Sequence, residues 1–326
     1  AMRQGVSRDG SHLYPVHPYT SFINADEADI QALYAFLMAS APSASKPPKA
    51  RLSFPFNVRN LMAGWNTLFL RQTPVANTAK SAAWNRGAYL VEGLGHCSAC
   101  HTDRNMFGAE LPGKAHLAGG FAEGWDAPAI LGPSRGPVSW TEQALFDYLR
   151  DGHSRDHGSA NGPMAHVVQS LSALPDEDIR AMATYLAGTV SEETAAQQRG
   201  AAITAAQQAK AAAAVSEPEG ARIFDGACTA CHADGTPLAN LALSSSLHGD
   251  RPDNVLQAIL NGADAPAQLA RQAKAGEIMS MPGFSQSFSD RQLADLAAYL
   301  RARFAPGKAP WGDLKETAAR VRGVKG

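Results

Sequence analysis

Two Cys-x-x-Cys-His units, GHCSACH at 95–101 and GACTACH at 226–232, use all four cysteines of this 326-residue chain. Nothing is left for a disulfide, a catalytic thiol or a thiolate axial ligand. In each unit two thiols stand three positions apart on one helical turn, so each can add to a vinyl group of one planar macrocycle. The histidine next in line then turns beneath the iron as proximal ligand. Zinc binding and thiol redox chemistry compete for a bare Cys-x-x-Cys. A four-thiolate zinc site would have to bring together pairs from opposite halves of the chain. Both pairs carry the trailing histidine and both open a helical repeat unit. The reading is therefore covalent haem at Cys97, Cys100 and His101, and again at Cys228, Cys231 and His232.

The repeats set the organisation. ADEADIQALYAFLMA (25–39), PDEDIRAMATYLAG (175–188) and SDRQLADLAAYLRARF (289–304) look like one amphipathic helix written three times. Each opens with a cap or an acidic first turn. Each places an aliphatic residue six positions before an aromatic one, at Ile30 and Phe36, Ile179 and Tyr185, Leu293 and Tyr299, with a leucine next. The second and third copies also share an opening, a short helix with a glycine and an aromatic (Gly87/Tyr89, Gly220/Phe224) that runs into the cysteine motif. A small residue there lets the first and last helices of each unit cross closely. The first copy has the ending without the opening, so a stretch with its own cysteine motif is expected ahead of residue 1.

These units predict an all-α chain. Residues 1–42 form the last part of a first unit, and 43–80 a connector whose apolar stretch 61–70, with Trp65, reads as an interdomain helix. Residues 81–189 and 219–305 are the complete units. Residues 190–218, rich in Ala, Gln and Glu, read as a helical or flexible spacer without core-forming content. Residues 306–326 are a tail, in which Trp311, Leu314 and Val321 make a weak apolar stripe for surface packing, with membrane-interface contact the lesser reading. No apolar run approaches the roughly 20 residues that span a bilayer. With 29 Lys+Arg against 30 Asp+Glu, there is no basic excess of the kind that neutralises nucleic-acid phosphates.

The sixth iron ligand decides the chemistry, because a thioether raises the potential and closes the site to exogenous ligands. Each complete unit offers a methionine beside a proline in a Gly/Pro loop, Met164 in NGPMAHVV and Met281 in SMPGF, with Met279 a rival two residues away. In the first copy His17, in YPVHPY, sits near the methionine position, with His12 nearby. Ligation by His17 would make that haem bis-histidine and lower its potential. His96 reads as surface. His116, His153, His157, His166 and His248 read as hydrogen-bonding or propionate-side residues. Arg104, Arg135 and Arg155 are candidates to pair with haem propionates.

WNRGAYLVEGLGHCSACHTDRNMFGAE, GWDAPAI (124–130), GPMAHVV and HLYPVHPYTSF together resemble the tri-haem cytochrome c subunits of bacterial periplasmic dehydrogenases. That family serves alcohol, gluconate and aldehyde dehydrogenases as well as molybdenum hydroxylases, and the RDHG…GPM wording at 155–164 is nearer the molybdenum-hydroxylase partners. The resemblance implies tandem class I cytochrome c domains, the first incomplete. It implies haem c at Cys97/Cys100/His101/Met164 and at Cys228/Cys231/His232/Met281, with a third haem in the first domain. It also implies a non-enzymatic subunit that relays electrons from a catalytic dehydrogenase to a quinone or terminal oxidase, in the periplasm and in possible association with the inner membrane. The first attachment motif is missing, and His17 stands where family members often carry Met or Phe. The rival class is a multi-haem peroxidase or thiosulfate-oxidising cytochrome, which wants an open sixth position or a spare cysteine ligand.

Overall fold

The computed structural model describes residues 1–45, 51–55, 57–73, 75–234, 240–265 and 280–323. Met279 lies outside the described residues. In the first complete unit, α4 (Ala82–Tyr89) is capped by the Ser81 side chain, which accepts from the Trp84 N–H. It crosses α8 (Asp176–Leu186), whose first turn carries Asp176, Glu177 and Asp178 where carboxylates suit the helix dipole. The second unit repeats the crossing with α10 (Pro218–Ala227) and α14 (Asp290–Phe304), the latter opened by a reciprocal Ser289–Gln292 capping box. Glycine makes both crossings. A Cβ on Gly87 would stand 1.9 Å from the Ala181 carbonyl oxygen, and one on Gly220 would stand 2.1 Å from that of Asp295.

Between its crossing helices the first unit places α5 (Ser98–His101), α6 (Glu142–Asp151) and α7 (Pro163–Leu171). It also carries two short antiparallel hairpins, β1 (Gly120–Ala122) with β2 (Trp125–Ala127), and β3 (His153–Ser154) with β4 (Gly158–Ser159). The architecture is thus mostly α, not all-α. The second unit has α11 (Thr229–His232), α12 (Ser245–His248) and α13 (Asp253–Asn261). Leu90, Val91, Ile179, Met182 and Leu186 form the first core; Ile223, Phe224, Leu293, Leu296 and Tyr299 form the second.

Two segments differ from their sequence reading. The supposed spacer is one 25-residue helix, α9 (Glu192–Ser216), with Ala195, Ala206 and Ala213 buried. Ala206, Ala213 and Ile203 pack into the second core, and Ala195 packs with Val138 and Leu243, so α9 contributes to the interior of both units. Alanine does this because a small side chain lets a helix lie flush against its neighbours. The supposed tail also belongs to the second core. Trp311, Ala318 and Val321 are buried there, and α15 (Leu314–Gly323) is pinned by Arg320 to Asp253 and by Arg322 to Asp290 at 2.7 Å.

At the N-terminal side lie α1 (Tyr19–Phe22), α2 (Glu27–Ala39) and α3 (Leu61–Phe69). Residues of α3 contact the chain on both sides of the connector. Asn66 of α3 accepts from the buried Tyr19 hydroxyl at 2.7 Å, and Trp65 donates to the Phe107 carbonyl at 3.0 Å. The Tyr89 hydroxyl reaches Asp29 of α2 at 2.5 Å. On α2 itself the aromatic–leucine pair of the repeat is bare: Phe36 is 71% and Leu37 58% exposed, against 2% for Tyr299 of α14. Among the described residues, no helix is long and apolar enough to cross a membrane.

Candidate functional site

The cysteine motifs sit at the end of the crossing helices, and the approach differs between units. Ten positions separate Gly87 from Cys97 and eight separate Gly220 from Cys228. The two extra residues are absorbed by a π turn over Leu90–Leu94 and by His96, which takes a positive φ of 40°. Counted from the crossing glycine, the buried sets match as Ala88, Leu90 and Val91 against Ala221, Ile223 and Phe224, and the approaches part beyond them. Phe224 therefore corresponds in place to Val91, not to Tyr89 as the sequence pairing had it. Tyr89 faces outward to Asp26 and Asp29.

His101 is anchored through one ring nitrogen. Its Nδ1–H donates to the Pro128 carbonyl at 2.7 Å, which leaves the Nε2 lone pair free. Burial lowers the pKa of both His101 and His232, so both imidazoles stay neutral, and His232 Nδ1 is buried with no partner among the described residues. Burial also pushes the Cys97 thiol up to about 12 and the Cys228 thiol up to about 11. Neutral thiols of this kind suit thioether formation better than thiolate coordination. Among the described residues no three of His, Cys, Asp and Glu converge to hold a metal ion.

Met164 lies in the first turn of α7, after Pro163 at a position where the missing N–H costs nothing. Gly162 before it has φ +54°, and a Cβ there would meet the Trp125 ring at 2.3 Å. Met281 is fixed differently. Its N–H donates to the Ala263 carbonyl at 2.8 Å and its carbonyl accepts from the Ala263 N–H at 3.0 Å. The flanking Gly262 and Gly283 leave no room for side chains, with the Met281 and Leu260 carbonyl oxygens 2.4 and 2.8 Å from their would-be Cβ atoms. One continuous cavity of about 830 Å³ is lined by Cys97, Cys100, His101 and Met164 and equally by Cys228, Cys231, His232 and Met281. The eight residues singled out in the two complete units all line it, and His17, the ninth candidate, does not. Gly136 and Ser245 form part of its wall where the units meet, a Cβ on Gly136 standing 3.1 Å from the Ser245 hydroxyl oxygen.

Known proteins decide what this pairing is. The family model described as "Cytochrome C oxidase, cbb3-type, subunit III" matches residues 216–300, the second unit. The chain is 47% identical over 333 residues to a nicotinate dehydrogenase subunit of Pseudomonas putida, covering 100% of this chain and 27% of that protein. It is 32% identical to the fructose dehydrogenase cytochrome subunit of Gluconobacter japonicus, covering 95% of this chain and 67% of that one. It is also 32% identical to the gluconate 2-dehydrogenase cytochrome c subunit of Pantoea cypripedii, covering 98% and 75%. The chain belongs to the cytochrome c subunits of dehydrogenases. It thus spans about 27% of the nicotinate dehydrogenase protein and most of the fructose and gluconate dehydrogenase cytochromes.

Haem c is the cofactor of a cytochrome c subunit, and the residues fit it. In one unit His101, anchored through Nδ1, lines the cavity with Met164, Cys97 and Cys100 beside Leu145, Leu149 and Leu171; in the other His232, Met281, Cys228 and Cys231 line it beside Val255, Ile259 and Leu300. The remaining residues of this cytochrome sort clearly. His116 bonds Glu92 at 2.7 Å, His153 bonds the Ser159 hydroxyl at 3.0 Å and His248 bonds the Ala242 carbonyl at 2.9 Å, as hydrogen-bonding residues should. His96 is not simply surface; it is half-buried against Phe22, whose ring also packs on His17. Burial lowers the pKa of His17. Of the three arginines only Arg135 lines the cavity. Arg104 closes its own loop through the Ala99 and Gly108 carbonyls, and Arg155 is exposed.

Sequence reasoning missed the part played by Pro128 although GWDAPAI was singled out as a string. His157 falls among the hydrogen-bonding or propionate-side histidines of the sequence reading, which gives no sign of the Trp140 ring stacked on it at 3.5 Å and 11°. Burial pushes the His157 imidazole down to about 4.

Proposed function

We propose that this cytochrome relays electrons through two covalently held haems. One sits on Cys97 and Cys100 with His101 and Met164 as axial pair, the other on Cys228 and Cys231 with His232 and Met281. The shared cavity carries the reading: both cysteine motifs and both methionines border one space, with no protein layer required between the two macrocycles. The haem supplies one-electron chemistry. The chain's own residues orient the His101 imidazole through the Pro128 carbonyl, hold Met164 at a helix start and Met281 on a backbone bridge, and exclude water with aliphatic walls. The donor is a catalytic dehydrogenase and the acceptor a quinone or terminal oxidase, in the periplasm. Identity of 47% to a nicotinate dehydrogenase protein, against 32% for the cytochromes of fructose and gluconate dehydrogenases, favours a donor of the molybdenum-hydroxylase kind. Kinship with dehydrogenase cytochromes favours relay over a peroxidase or thiosulfate-oxidising role.

A third haem unit, closed by α2 and with His17 as a candidate axial ligand, belongs to the same reading. The bare Phe36 and Leu37 support it, since their counterparts in the complete units face a crossing helix. Met164→Ala tests the relay. Loss of the thioether lowers the potential of one haem and slows electron transfer to the natural acceptor, while the dehydrogenase still reduces an artificial acceptor. Unchanged potentiometry in this variant overturns the assignment.

A further inference from the structure

His157 is 6% exposed, and neither ring nitrogen has a hydrogen-bond partner among the described residues. It lines the shared cavity on the side of the first unit. A buried imidazole must carry one N–H, and leaving that donor unmet in an apolar surrounding is costly, so the site calls for an acceptor. Everything around the ring restrains it. Trp140 stacks flat against one face, and the β3–β4 hairpin sets the backbone, with the His157 N–H on the Ser154 carbonyl at 3.2 Å. The adjacent Asp156 is gripped by both guanidinium donors of Arg199, which projects from α9. The acceptor the cavity would receive is a carboxylate, since a haem anchored through its vinyl groups still carries two propionates.

We propose that His157 is the propionate-binding residue of the haem on Cys97 and Cys100, and that Arg199 is its positioning residue. The inference rests on the haem assignment above. Arg104 and Arg155 are spent or exposed, and Arg135 already faces Asp126 at 3.4 Å and Asp250 at 3.9 Å. Because α9 packs into the core of the second unit, the second haem's domain braces a contact made to the first haem.

Spectroelectrochemical titration of the haem-loaded chain tests this with His157→Phe, which keeps an aromatic ring against Trp140 and removes the donor. A hydrogen bond to a propionate offsets negative charge beside the iron, so its loss moves one wave to lower potential and leaves the other in place. His157→Gln restores part of the shift, and Arg199→Met gives a smaller shift of the same wave. The charge-transfer band of sulfur-ligated ferric haem persists in all three. Two unmoved waves in His157→Phe, with both haems attached, overturn the proposal. Loss of sixth-ligand coordination in His157→Phe but not in Met164→Ala overturns it too, because His157 is then an axial ligand. Intact mass separates the two levels: no haem at Cys97 and Cys100 in the unmodified chain defeats the proposed function itself.

Discussion

The two complete units share a frame and differ in everything hung on it. Both cross a glycine helix with a closing helix, and both turn the same tyrosine toward that crossing. In the first unit Tyr185 donates to the Glu92 carboxylate at 2.5 Å; in the second Tyr299 accepts from the Arg303 guanidinium at 3.2 Å. The first unit reaches its cysteines through a π turn and holds its methionine on a helix start. The second takes a plain helix and holds its methionine on a two-bond bridge. His157, Arg135 and Tyr148 border the cavity on one side, and Asn254, Phe284 and Phe288 on the other. The helix crossing is what the fold cannot alter, whereas the lead-in, the loops and the cavity lining are free to differ between the units.

The hardest test of that common frame is a methyl group. In Gly87→Ala and Gly220→Ala the new Cβ meets a backbone carbonyl about 2 Å away, and backbone cannot step aside as a side-chain tip can. Each variant should lose about 3 kcal/mol or more, the upper end of overpacking costs, in denaturant unfolding of the haem-loaded protein. Equal losses sharpen the comparison. A harmless Gly87→Ala beside a ruinous Gly220→Ala would break it.

Much of this frame was legible in the chain. The cysteine motifs, the crossing glycines and the closing helices are local patterns with steep physical requirements; the proline beside each methionine singled out Met164 and Met281, although Met164 opens a helix and both methionines pack against a core. The rest was hidden for identifiable reasons. Ala195, Ala206 and Ala213 bury a helix without raising its hydrophobicity, so α9 read as a spacer. Trp311 and Val321 join a core whose other members lie up to about a hundred residues upstream. The Trp140–His157 stack and the Glu92–His116–Tyr185 cluster join residues that only tertiary folding brings together.

A second test separates the two ways of holding sulfur. Gly162→Ala puts a methyl into the Trp125 ring at a positive φ, so either the ring or the Met164 turn must move, at a cost of about 1–3 kcal/mol. Part of the ferric protein should lose sulfur ligation at one haem, seen as a weakened charge-transfer band. Gly262→Ala should do the same at the other haem, because its Cβ would strike the Met281 carbonyl itself. A Gly162→Ala protein with an intact band would mean that the Met164 helix start tolerates displacement and the Met281 bridge does not.

The smallest effect concerns charge near Cys97. Glu92 accepts from His116 and so raises the His116 pKa above its ordinary value, more than offsetting burial; among the described residues the second unit has no such pair at this place, where Asp225 is exposed. A histidine whose folded pKa exceeds the unfolded value of about 6.5 stabilises fully below that pH and loses its contribution as pH rises through the folded value. His153, His157 and His248 act in the opposite sense, since burial lowers their pKa values and unfolding then gains protons as pH falls below about 6.5. The raw stability profile mixes the two. The difference between the unmodified chain and His116→Gln isolates the pair: the melting-temperature gap should be widest at about pH 6 and narrow as pH climbs above about 6.5. A gap that stays constant across that range would show that His116 contributes packing and not charge, and the two units would then differ in shape alone at this position.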